Sequence, residues 1–248
     1  MILASQNLYG IISIDNWKIA DTWSYNTLSN GIAYNDGRIY LSDWNDILVI
    51  DMKGKILDRI SGYGYDNIHT INFFWEQLLV SSTSNDRIYL GKEIIFEPKD
   101  AGYRKFIYLN SAVPWQDATI LISAKIPKHV IFFDMDKRKV ERILHLPFLR
   151  NQHHPVPYMD MFLVSDGDGI VMFDSDGKLI EKSPPMSWPR GIKVQGRTKV
   201  LCVDRDSIME WNPVTNTINR KIKTPIDIPN AARKDSDTGG ALFDLVVI

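Results

Sequence analysis

Apolar and polar positions alternate in short bursts along this chain, and residues 29–57 show the unit most clearly. Four apolar runs at 31–34, 38–41, 46–50 and 55–57 are separated by Asn35-Asp36-Gly37, Ser42-Asp43-Trp44-Asn45 and Asp51-Met52-Lys53-Gly54. Turn-forming Asp, Asn and Gly between β-branched and aromatic runs predict an antiparallel meander of four strands. Such a sheet needs both faces covered, so it has to be repeated or packed.

It is repeated. Matching runs occur at 69–74, 78–82, 87–90 and 93–96, then at 110–113, 119–123, 129–134 and 140–144. Two further sets lie at 154–156, 161–166, 169–174 and 178–180, and at 190–194, 201–204, 208–211 and 217–221. A period of about 40 residues with four strands each is the signature of a β-propeller. At the N-terminus, runs at 2–5, 10–15 and 18–23 correspond to the second, third and fourth strands of a unit. A lone C-terminal run at 241–248 is the natural first strand of that unit. The expectation is therefore an all-β, six-bladed propeller spanning 1–248 as a single domain, with blade 1 closed by the C-terminal strand. The charged run at 134–139 reads as a hairpin tip, and the polar stretch 227–240 as a mobile loop.

Composition narrows the partners. The net charge of −1 argues against nucleic acid. No apolar run approaches the roughly 20 residues of a membrane helix. The lone Cys202 sits in an apolar run and reads as a buried hydrophobe. A cytoplasmic monomer, without membrane or nucleic-acid partners, is the expectation.

Propeller geometry then selects the chemistry. Residues opening the innermost strands converge on the mouth of the central channel. In chain order these are Asn30, His69, Asn110, His154 and Arg190. Companions in the loops between second and third strands are Asn7, Asp43, Thr83, Lys125, Asp166 and Asp204. Imidazoles, amides and a guanidinium at one mouth suit a small anionic molecule or a peptide. Alternatively, His69 and His154 with Asp166 and Asp204 would hold one divalent cation (Zn, Ca or Mn) for a metal-dependent hydrolase or lyase. In an extended strand neighbouring side chains point oppositely, so only one of His153 and His154 is expected to face the channel. Asp166-Gly167-Asp168-Gly169 and Asp174-Ser175-Asp176-Gly177 read as hairpin turns rather than calcium loops. His129 and His145 read as surface or packing residues, and the seven tryptophans as blade packing.

The stretch Ser29-Asn30-Gly31-Ile32-Ala33-Tyr34-Asn35-Asp36-Gly37-Arg38-Ile39-Tyr40-Leu41-Ser42-Asp43 resembles a strand pair of the regucalcin/gluconolactonase family. Pro189-Arg190-Gly191-Ile192 is similar to the corresponding start in NHL-repeat propellers. Both groups include six-bladed rings. The first resemblance implies a divalent cation at the mouth, with Asn30 or Asn110 and Asp166 or Asp204 among its ligands. It also implies lactonase-like activity, whereas the second implies an NHL-like lyase mouth in which His69 and His154 bind zinc beside Arg190.

Overall fold

The architecture was analysed in a computed structural model that describes residues 1–6, 10–25, 27–224 and 242–248. Asn7 and the 227–240 stretch expected to be mobile lie outside the described residues.

The described strands form six four-stranded antiparallel sheets. Blade 1 holds β1 (Ile2–Gln6), β2 (Gly10–Asp15) and β3 (Lys18–Ser24). Blade 2 holds β4 (Ile32–Asn35), β5 (Arg38–Asp43), β6 (Asp46–Asp51) and β7 (Ile56–Ile60). Blade 3 is β8 (Ile68–Phe74), β9 (Gln77–Ser82), β10 (Arg87–Leu90) and β11 (Glu93–Phe96). Blade 4 is β12 (Leu109–Pro114), β13 (Thr119–Ala124), β14 (His129–Asp134) and β15 (Lys139–His145). Blade 5 is β16 (His153–Tyr158), β17 (Met161–Asp166), β18 (Gly169–Phe173) and β19 (Leu179–Lys182). Blade 6 is β20 (Pro189–Val194), β21 (Val200–Asp204), β22 (Ser207–Asn212) and β23 (Thr217–Lys223). Finally β24 (Leu242–Val247) pairs with β1 as the innermost strand of blade 1, as the sequence pattern requires. The only helix among the described residues is a single 3-10 turn at Pro98–Ala101, and none is long and apolar enough to cross a membrane.

Local chemistry explains the hairpins. Between β4 and β5, Asp36 and Gly37 adopt φ values of 47° and 72°. Two consecutive left-handed residues make a turn whose twist matches that of the flanking strands, and Asp-Gly adopts it at low cost. The charged run after β14 is a turn, as its composition predicts.

Packing closes the ring. The inner strands β4, β8, β12, β16, β20 and β24 each touch the next, and β24 touches β4. Six hydrophobic clusters of described residues lie at the six interfaces between blades. Leu163, Met172, Ile192, Cys202 and Trp211, for example, join blades 5 and 6. Cys202 is fully buried, and burial pushes its thiol well above the usual range, leaving it unreactive. Strands sandwiched between blades read as continuous apolar runs, such as the wholly buried β18, while edge strands such as β15 alternate. The tryptophans divide: Trp211 and Trp115 pack between blades, whereas Trp44 and Trp75 are exposed.

Candidate functional site

The mouth is built by a defect repeated in the ladder. In β8 the pairing to β9 skips His69, and in β12 the pairing to β13 skips Asn110. In β16 the pairing skips His154, and in β20 it shifts across Arg190 and Gly191. Each is a β-bulge, an extra residue that leaves the ladder and re-aims its side chain. The amides beside these bulges need partners. A buried serine stands at the matching height of the second strand in five blades: Ser5, Ser42, Ser81, Ser123 and Ser165. Ser42 Oγ accepts from Asn30 N and Gly31 N at 2.9 Å each, and Ser81 Oγ accepts from Thr70 N at 3.0 Å. Gly31 is needed here for space, since a Cβ would lie 3.0 Å from Ile71 N in the next blade.

The bulged positions and Asn30 share one recess. Asn30, His69, Asn110, His154 and Arg190 line it together with Thr70 and His153. Its cavity volume is about 20 Å³, which admits a water-sized group. His153 sits at its centre. Arg190 Nη1 donates to His153 Nε2, and the Asn110 amide nitrogen lies 2.7 Å from His153 Nδ1. The Arg190 guanidinium stacks on Trp188, with Cζ 3.4 Å from the ring centroid. His69 meets Tyr108 edge-to-face at 6.0 Å, and the Lys125 ammonium lies 4.9 Å from the Tyr108 ring centroid. The Nε2 of His154 and the Oδ1 of Asn110 are buried without a hydrogen-bond partner among the described residues.

Electrostatics follow from burial and from clustered positive charge. Burial, then Arg190 and Lys125, push His69 down to about 3 and hold His153 well below its ordinary value. His154 falls to about 3 through burial and Lys193. Burial lowers Arg190 to about 9, and burial followed by Arg190 lowers Lys125. The imidazoles are therefore neutral near pH 7, beside a guanidinium that stays charged.

The recess thus contains all five residues expected at the mouth, but it also contains His153. Strict alternation would place only one of the two adjacent histidines in the channel. His154 adopts φ 34°, a left-handed bulge that cancels the alternation, so both line the recess. A His-His pair opening an inner strand carries no sequence mark of the bulge.

The carboxylates go elsewhere. Asp166 Oδ1 accepts from Arg150 N at 2.8 Å and Asn151 N at 2.7 Å, and Asp204 Oδ1 accepts from Trp188 N at 2.6 Å. Both tie down the segment that enters the inner strand of their own blade. Asp43 pairs with Arg59 at 2.8 Å, and Thr83 Oγ1 donates to Leu109 O at 2.6 Å. Among the described residues no three His, Cys, Asp or Glu side chains gather as metal ligands. Asp166 and Asp204 do not line the recess with His69 and His154, and each holds backbone amides through its Oδ1.

No family model and no curated protein sequence matches this chain. Solved structures do. A chain from the crystal structure of a nidogen/laminin complex aligns with a TM-score of 0.75 at 12% identity, covering 98% of this chain and 96% of that one. A protein of unknown function from Bacteroides caccae aligns with a TM-score of 0.72 at 12% identity, covering 98% and 97%. The computationally designed Ika8 protein aligns at 0.54 and 10% identity, over 86% of this chain and 68% of that one. At these identities the likeness establishes the six-bladed fold alone.

Proposed function

We propose that this propeller binds a small anionic molecule, or the carboxylate of a partner peptide, at the channel mouth. The observation that carries the reading is the convergence of Asn30, His69, Asn110, His154 and Arg190, with His153, on one small recess. Amide and imidazole N–H groups beside a guanidinium are the donors that recognise a carboxylate or oxyanion. The size of the recess suits one such group rather than a whole metabolite. The resemblance to regucalcin/gluconolactonase and NHL-repeat propellers enters this reading only as a ligand-holding mouth.

The test is a thermal-shift survey with citrate, phosphate and sulfate against zinc, calcium and manganese, on wild type and Arg190→Gln. Saturating anion should raise the wild-type midpoint by roughly 5–10 °C and leave the variant unmoved. Stabilisation by a divalent cation instead, lost in His69→Ala and His154→Ala, would replace this reading with the metal-dependent hydrolase or lyase.

A further inference from the structure

Three loops on the mouth face, beside the recess, combine exposed apolar side chains with one sign of charge. Residues 104–108 enter blade 4, residues 125–128 join its second and third strands, and residues 146–150 lead into blade 5. They read Arg-Lys-Phe-Ile-Tyr, Lys-Ile-Pro-Lys and Leu-Pro-Phe-Leu-Arg, with five Lys or Arg and no Asp or Glu. The whole chain carries a net charge of −1, so this is a local concentration rather than a bulk property.

The loops are neighbours. Lys125 N donates to Tyr108 O and Ile126 N to Ile107 O, both at 3.1 Å. Leu146 N donates to Lys128 O at 2.9 Å, and Lys128 Nζ to Pro147 O at 3.0 Å. Across this surface Phe106, Ile126 and Phe148 are 45%, 59% and 52% exposed. Each ring packs against another: Phe106 edge-to-face with Tyr108 and Phe148 tilted against Phe173, both with centroids 5.6 Å apart. Tyr108 holds φ 57°, a costly conformation for an aromatic residue, and its ring reaches His69 at the recess. Three acids border these loops and each is engaged: Asp86 accepts from Ile107 N and Leu109 N, Asp166 from Arg150 N and Asn151 N, and Asp168 pairs with Lys182 at 2.7 Å and lies 3.5 Å from Arg150.

We propose that these loops form a docking platform for an acidic peptide segment bearing apolar side chains. Its carboxylates lie along the cationic rim, and one of them enters the recess. The last point rests on the anion reading of the recess; the platform rests on loop composition and exposure. A peptide fits better than a lipid surface because the aromatic rings lie half-covered on their neighbours, making a low platform rather than wedges that project into a bilayer. Apolar anchors ringed by complementary charge are the usual anatomy of such an interface.

The test is selection of a random phage-displayed peptide library on the full chain. Enriched peptides are then measured by fluorescence anisotropy against wild type, Ile126→Asp/Phe148→Asp, Lys105→Glu/Lys128→Glu and Arg190→Gln. The expected peptides combine Asp or Glu with Phe, Leu or Trp. They should lose roughly tenfold or more in affinity on either platform variant, and weaken with salt. The charge-reversal variant keeps the apolar surface and decides the matter if the apolar variant misfolds. No enrichment, enrichment without acidic residues, or undiminished binding to both platform variants would overturn the proposal. Phosphatidylserine/phosphatidylcholine vesicles that retain wild type but not the platform variants, with no peptide enriched, would overturn it in favour of a membrane-facing surface. Peptides lost on the platform variants but kept on Arg190→Gln leave the platform standing and remove the recess reading.

Discussion

Arg190 and His153 are hydrogen-bonded inside the mouth, the guanidinium donating from Nη1 to the imidazole Nε2. Arginine can only donate, so Nε2 accepts and the ring proton belongs on Nδ1. The Asn110 side-chain amide lies beside that nitrogen and donates to Gln152 O at 3.1 Å. One cation thereby fixes the tautomer of the central histidine.

Replacing Arg190 with Gln should therefore register at His153. Burial is the first cause of its lowered pKa and Arg190 the next. In Arg190→Gln the His153 pKa should rise while staying below that of a free imidazole, and His154, not subject to Arg190, should hold its value. An NMR pH titration of the ring protons reads both. An unchanged His153 would mean that the pair does not form in solution.

Acid should destabilise the ring through its buried imidazoles. In the unfolded chain they titrate near about 6.5; when folded, His154 titrates at about 3 and His153 well below its ordinary value. The unfolded chain thus binds more protons on acidification. Their contribution is complete above about pH 6.5 and is lost as pH falls toward the folded values, at up to about 1.4 kcal/mol per pH unit for each histidine. His69, partly exposed at the mouth, contributes less. Asp244 works in the opposite sense: burial raises its carboxyl to about 6, so its contribution is present below about pH 4 and lost as pH rises through 6. The imidazoles outnumber it. Urea midpoints should fall from about pH 7 to about pH 5, and a flat profile would contradict the assignment.

Asp166 should behave as a backbone anchor. Its carboxylate holds two amides that precede β16, and its side chain is buried. Asp166→Ala should cost about 1.5–3 kcal/mol in chemical denaturation, and Asp166→Asn less, since the amide oxygen still accepts. Neither should alter any response to divalent cations. A metal-dependent difference between wild type and Asp166→Asn would restore the carboxylate to the ligand role.

Leu245 tests the closure of the ring. It is fully buried in the cluster between blades 6 and 1, on the strand that completes blade 1. Leu245→Ala should cost about 2–5 kcal/mol, seen as a lowered urea midpoint. A cost near zero would mean that β24 contributes little to holding the ring shut.

The blades were legible because turn chemistry and strand patterning agree from residue to residue. Asp36-Gly37 announces its hairpin, and the orphaned run at 241–248 announces the closure. The positions converging on the mouth were legible too, because a propeller's connectivity dictates where inner strands begin. What the pattern hid was geometry finer than a strand. His153 was assigned to the wrong side because alternation holds only in a regular ladder, and the left-handed turn at His154 breaks it. Asp166 and Asp204 look like free carboxylates in a loop. Their amide partners, Arg150, Asn151 and Trp188, lie 15 to 16 positions away, beyond the reach of a local motif. The platform was hidden for the same reason, its three loops being separate in sequence.

The bulges at the mouth decouple recognition from folding. A residue expelled from the ladder gives up no strand pairing when it is exchanged, and at position 69 Ser81 holds the adjoining Thr70 amide whatever side chain stands in front. Positions 69, 110 and 154 form an interchangeable collar on a fixed ring. A designer or a lineage can rewrite its specificity one blade at a time without renegotiating the core.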